Sequence, residues 1–152
     1  MADKIVGTRQ DTWAVQLWVN GSNFGIWDTL TGGEKDSDAT SYKPGNMGDP
    51  YSLGGWPTLG NVVLSRNYRL VRDHDQALPL LLAAAGDGDV TVYQWPLDKS
   101  KKPYNKAIKR TGTLKRVTPP PVDSKSSDAA MVEVEIVLDG DITTAAATLT
   151  GV

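Results

Sequence analysis

One run of strict alternation constrains this chain more than any other feature. From Met131 to Leu138 the apolar Val132, Val134, Ile136 and Leu138 take every second position, with Met131, Glu133 and Glu135 between them. Successive strand side chains point to opposite faces, so this is a strand with one face in a core and a charged face turned away from it. Such a strand needs partners, and the same period recurs. Trp13, Val15, Leu17 and Val19 alternate with Ala14, Gln16, Trp18 and Asn20, and Asn20-Gly21 is a strong hairpin turn. A returning strand is expected from Phe24 to Leu30. Val62, Leu64 and Arg66 oppose Val63, Ser65 and Asn67, and Val90 and Val92 oppose Thr91, Tyr93 and Trp95 before Pro96 ends the run. Ile108 to Val117 reads as a strand broken by Gly112, antiparallel to Met131–Leu138 and joined to it by the proline- and serine-rich TPPPVDSKSSDAA.

A single helix interrupts this pattern. Asp73-His74-Asp75-Gln76 offers a capped start, Leu78, Leu81, Leu82 and Ala85 form a stripe, and Gly86 is a stop. Pro79 fits best in the first turns of a helix from about Asp75 to Ala85. The expected fold is therefore all-β, a sandwich or barrel of about six to eight strands with one short flanking α-helix.

The 152 residues suit a single domain, with an N-terminal arm over residues 1–12 and a C-terminal tail over 143–152. Thr31 to Thr58 is read as a long irregular loop, dense in glycine and proline around Tyr51 and Trp56. Connections usually span about 4 to 6 residues, and one this long is expected to bind something. Gly45 to Gly55 carries no strand or helix pattern, so its removal is expected to spare the fold.

Zero cysteines exclude thiol catalysis and disulfides, and a net charge of -2 gives no overall attraction to nucleic acid or anionic membrane. With no apolar run near the roughly 20 residues that cross a bilayer, the chain is expected to be soluble and intracellular when made. Lone His74 between two aspartates is better explained by a helix start than by catalysis, and Asp87-Gly88-Asp89 by a turn than by a calcium loop. The loop glycines match no phosphate-binding spacing, so no cofactor, metal or enzymatic activity is expected. Lys99 to Arg116 holds eight basic residues and no acid, whereas Asp123 to Asp141 holds six acids against Lys125. Tyr104 in the basic block suits nucleic-acid stacking, but balance within the hairpin is the favoured reading. Trp13 and Trp18 have opposite parity on one strand, so both its faces need cover, which points to a protein partner.

In chain order, WAVQLWVNGSNFGIWDTLTGGE, YKPG, GNVVLSRNYRL, a short helix, VTVYQWPLD, a basic strand and VEVEIVLDG resemble a tail tube protein (major tail protein) of a tailed bacteriophage. That family is also similar in fold to the haemolysin-coregulated protein of type VI secretion. The likeness spans Trp13 to Gly140, and the triple proline Pro119 to Pro121 lies outside its pattern. It implies a structural virion protein forming hexameric rings that stack into a hollow tube conducting the genome into the host. It also implies assembly in the host bacterial cytoplasm, with the tape-measure protein and tail terminator as partners. Double-stranded DNA would pass without specific binding, and no membrane would be involved. By the same resemblance Glu34, Tyr42, Lys43, Pro44, Gly45, Tyr51 and Trp56 belong to a ring-stacking loop. Glu133 and Glu135 would face the lumen, partly neutralised by Lys109 or Lys115. The reading leans to a non-contractile tail. A single-ring head-completion or tail-terminator protein and a carbohydrate-binding β-sandwich using exposed Trp and Tyr are the alternatives.

Overall fold

The computed structural model describes residues 7–45, 48–49 and 51–149, without the side chains at 38, 40 and 51. Ten strands are described among them: β1 Trp13–Val19, β2 Ser22–Trp27, β3 Thr29–Gly32, β4 Lys35–Tyr42, β5 Tyr51–Leu59, β6 Val62–Asn67, β7 Asp89–Pro96, β8 Ala107–Thr118, β9 Met131–Leu138 and β10 Thr143–Ala145. The fold is all-β, as the alternation predicts, with one helix besides a 3₁₀ turn at Gln10–Thr12 among the described residues.

Eight strands form one antiparallel sheet in the order β2-β1-β7-β8-β9-β6-β3, with β10 added against the start of β8. The expected return strand is two strands. β2 pairs β1 at one end of the sheet, β3 pairs β6 at the other, and Asp28 alone separates them. The chain therefore crosses from one sheet end to the other in a single residue, which rolls the sheet into a barrel. Asp28 seals the seam, its N–H donating to the Ser65 carbonyl at 3.0 Å and its carboxylate accepting from the Asn67 N–H at 2.9 Å.

Alternation decides the interior. Val132, Val134, Ile136 and Leu138 are buried, together with Val15, Leu17, Val19, Val62, Leu64, Val90, Val92 and Leu114. Each large aliphatic side chain so buried contributes about 1.5–3 kcal/mol. The other face of β1 is covered as well, since Ala14 and Gln16 are buried and Trp13 and Trp18 half-buried within one subunit. The parity of the two tryptophans thus gives no argument for a partner. β8 runs unbroken through Gly112, where the β9 backbone at Val137 passes so close that a Cβ would not fit.

The helix begins earlier than expected. Leu70–Ala77 is wound with π spacing, the His74 N–H reaching back to the Arg69 carbonyl, and continues as α1, Leu78–Ala84. This wider winding directly precedes Pro79, whose missing N–H would otherwise interrupt a regular ladder. Ala77, Leu81 and Ala84 face the core, while Leu82 and Ala85, expected inside, are exposed. Gly86, at φ +104°, follows the helix end as predicted.

The stretch read as an irregular loop is a two-stranded arm. β4 and β5 pair only with each other, from Lys35 opposite Leu59 to Tyr42 opposite Tyr51. Tyr51–Gly55 belongs to β5, so excising Gly45 to Gly55 would cut paired strand rather than loose chain. Glycine and proline hid this strand because period and composition both argued against it.

Candidate self-assembly surface

The arm leaves the barrel at Gly32-Gly33. Both residues have left-handed backbone, φ +80° and +76°, and at both a Cβ would strike neighbours, the Asn61 carbonyl at Gly32 and Val62 and Arg110 at Gly33. The Gly33 N–H donates to Asn61 O at 3.1 Å, the Gly60 N–H to Glu34 O at 2.8 Å, and Lys35 Nζ reaches Asp141 at 2.9 Å. The Lys35 hydrogen bond holds the Asp141 carboxyl below the usual aspartate range. Glu34, expected among contact residues, therefore sits at the root of the arm, packed against Gly60.

Beyond the root, the arm's described side chains are exposed. Between Pro57 and Gly54, β5 takes three steps while β4 takes two from Ser37 to Ala39, so one extra residue bulges out near Gly55-Trp56. Trp56 is 90% exposed there, with Leu53 also exposed, and Tyr42, Lys43 and Gly45 are exposed toward the turn with Pro44 half-buried. Tyr51 is placed by its pairing with Tyr42 alone. Asn46, Met47 and Pro50 lie outside the described residues, as does half of the expected N-terminal arm, residues 1–6. An isolated two-stranded hairpin is at best marginally stable in water.

The second expected site lies on the outer face of β9. Glu135, its side chain only 13% exposed, is 2.8 Å from Arg116 and 3.6 Å from Lys115, and Arg116 is also 3.9 Å from Glu133. Two consecutive cations reach one carboxylate because the β8–β9 register slips between Leu114 and Arg116. A hydrogen bond from the Asn61 amide and the Arg116 and Lys115 charges hold the Glu135 carboxyl below its ordinary range. Lys109 does not take part, since it lies opposite Tyr93 and Thr143. This face carries balanced charge, not the acidic surface expected.

Two features escaped the sequence reading. Arg66 and Asp73, 1% and 2% exposed, form a 2.6 Å ion pair in the barrel interior. The Asp73 carboxylate also accepts from Arg72 at 2.8 Å and from the Arg69 N–H at 2.8 Å, so it caps the helix from inside. Arg66 donates to the Phe24 carbonyl and lies 4.3 Å over the Trp27 ring. The available signal was Arg66 itself, which shares parity with buried Val62 and Leu64. His74 is engaged by the Tyr68 hydroxyl at 2.8 Å. The other feature is an open cleft of about 450 Å³ bounded by Arg9, Trp13, Trp27, Asp28, Thr31 and Gln94. Of the five tryptophans, Trp27 and Trp95 are buried and only Trp56 is well exposed, so the tryptophans form no shared platform for a sugar.

No family model and no curated protein matches this chain. Solved structures do. A chain of the anti-feeding prophage baseplate, 6-fold symmetrised, superposes with a TM-score of 0.69 at 15% identity, covering 95% of this chain and 97% of that one. A chain from the cap terminating the anti-feeding prophage tube reaches 0.70 at 15% identity, with 95% of each chain covered. A chain of the sheath-tube complex of the PVC extracellular contractile injection system, in its extended state, reaches 0.65 at 14% identity over 94% of each. The sheath/tube terminator of that system supplies a chain at 0.68 and 13% identity, over 96% of this chain and 100% of its own. The fold is thus one found along the whole length of chains in contractile injection particles.

Proposed function

We propose that this protein is a structural, non-catalytic subunit of a phage-tail-like tube. Copies close into rings of six, and the rings stack into a hollow conduit. The observation that carries this reading is the end-to-end likeness of the fold to chains from tube-bearing particles. An arm whose strands pair only with each other and touch the barrel only near its root adds support, because a second copy would cover its exposed length. The described neighbours come from contractile particles, so a sheathed tube is better supported than the sheathless tail anticipated from sequence. In a bacteriophage version the cargo is the genome, the tape-measure protein and a terminator are partners, and assembly precedes release from the host cytoplasm. Likeness to a cap and a terminator favours one second reading, a protein that stops at a single ring.

Size-exclusion chromatography with light scattering, followed by negative-stain microscopy, tests both. Six-membered rings that stack into tubes are expected. Single rings would favour the terminator, and a persistent monomer at high concentration with tape-measure protein present would defeat both.

We place the outer face of β9 on the lumen. Charge balance among Glu133, Glu135, Lys115 and Arg116 leaves no net attraction for a polyanion in transit. Changing both glutamates to lysine puts four cations on this face, and the variant is expected to assemble but retain DNA and slow its ejection. Ejection at the normal rate from normally assembled particles, or a tube structure with both glutamates outermost, would exclude this placement.

A further inference from the structure

We propose that copies in successive rings dock head to tail through opposite charge. The lysine loop between β7 and β8 of one copy would lie against aspartates at the far end of the barrel of the next. This rests on the tube reading and specifies which surfaces meet.

Strand direction separates the lysines at the start of the basic block from the aspartates of the loop 119–130. β7 runs from Asp89 to Pro96, and β8 returns from Ala107 to Thr118. Residues 97–106 therefore lie at one end of the barrel, while Asp87, Asp89 and the loop 119–130 lie at the other. Eight residues of strand span about 26 Å, and the Debye length at physiological salt is about 8 Å, so the lysines of 97–106 and the aspartates of 119–130 cannot neutralise each other inside one subunit. Only Lys115 and Arg116, far along β8, meet the β9 acids. Charge balance within the hairpin, expected from the sequence, fails for the rest.

Each end is accordingly left with uncompensated charge. Lys99, Lys101, Lys102 and Lys106 are exposed and make no ion pair among the described residues. Asp98, the one acid in their loop, is committed to its turn, accepting from the Ser100 and Lys102 N–H groups at 2.8 and 3.0 Å. Nearby Asp141 is taken by Lys35 and Asp11 by Arg9, and Glu34 and Asp36, exposed at the arm root and in no ion pair among the described residues, are outnumbered by the four lysines. At the opposite end Asp87, Asp89 and Asp128 are exposed and make no ion pair among the described residues, and exposed Asp123 accepts from the Lys125 N–H of its own turn at 3.0 Å, against Lys125 and Arg69.

A positive end and a negative end on one molecule are complementary between copies in one sense only, head to tail, and like ends repel. That is the heterologous contact that propagates without closing. The arm is rooted at the lysine end, where Arg110 of β8 donates to the Gly33 carbonyl at 3.3 Å. Arm and lysine loop thus present themselves together to the next copy. A nucleic acid would also attract the lysines and exposed Tyr104, but it would leave the aspartate end unexplained.

The test is a charge swap on the full chain. Lys99→Glu/Lys101→Glu/Lys102→Glu is expected to leave rings and the thermal midpoint intact while raising the concentration needed for stacking about tenfold or more. Asp87→Lys/Asp123→Lys/Asp128→Lys is expected to do the same, and the six changes together to restore stacking. Unaltered tubes are expected to dissociate as salt rises from about 0.05 to about 0.5 M, where the Debye length falls from about 14 to about 4 Å. Tubes indifferent to reversal, failure of the combined variant to recover, or a reversal that lowers only nucleic-acid retention would each overturn the inference while sparing the tube reading. Absence of any assembly by the unaltered protein would overturn both.

Discussion

Asp73→Ala is expected to lower the thermal midpoint by about 10 °C. The carboxylate is enclosed with two guanidiniums and a helix N–H, so its removal leaves Arg66 charged, buried and short of a partner. Breaking one side of a buried pair costs about 3–5 kcal/mol, and in a domain of this size each kcal/mol shifts the midpoint by about 2–4 °C. Replacing the pair together, Arg66→Met with Asp73→Leu, is expected to cost far less, because no charge is then stranded. The same site gives a pH signature. Burial pushes the Asp73 carboxyl up, but hydrogen bonds from Arg72 and the Arg69 N–H, with the Arg66 and Arg72 charges, outweigh it and hold the carboxyl low. Its stabilisation is therefore complete above the ordinary aspartate value near about 4 and is lost as pH falls through the lower folded value. Urea midpoints measured from neutral pH into acid should fall in that window for the unaltered protein and fall less for Asp73→Asn. Equal acid sensitivity of the two would show that the pair does not titrate with folding.

Removing the arm is expected to abolish assembly while leaving the barrel folded. Residues 34–60 can be replaced by an Asn-Gly turn joining Gly33 to Asn61, since Gly32 already pairs with Val62 across that gap. The excised side chains contribute little to the core, with Leu59 its one contact there. The variant should keep its circular dichroism and cooperative melt yet remain at ring size or smaller in light scattering. Trp56→Ala is the finer probe. A buried aromatic anchor is worth about 2 kcal/mol or more at an interface, which corresponds to about a thirtyfold rise in the concentration for assembly. Full-length tubes from the arm-less protein would show that the arm is decoration and that ring contacts lie elsewhere on the barrel.

How far the fold could be read in advance follows from where the physics is local. Period-two alternation is a property of neighbouring residues, so β1, β6, β7, β8 and β9, their faces and the core they share were legible. Gly86 marked a helix end because only the local backbone decides it. β4 and β5 were not legible, since their pairing satisfies the backbone of a stretch whose side chains face solvent and carry no hydrophobic period. Of the expected contact residues, Tyr42, Lys43, Gly45 and Trp56 lie exposed on the arm, Glu34 at its root, and Glu133 and Glu135 on a face they share with two cations.

By itself the sequence determined an all-β class, the inward face of most strands, the absence of thiol chemistry and two blocks of opposite charge. Tertiary structure alone decided three things. Asp28 became the single-residue crossing that closes the barrel, because closure depends on which strands lie at the sheet ends. Arg66 and Asp73 became partners in the interior, because six residues of intervening turn and helix bring them within 2.6 Å. The lysines of 97–106 and the aspartates of 119–130 were divided between opposite ends because strand length exceeds the reach of a side chain and of an unscreened charge.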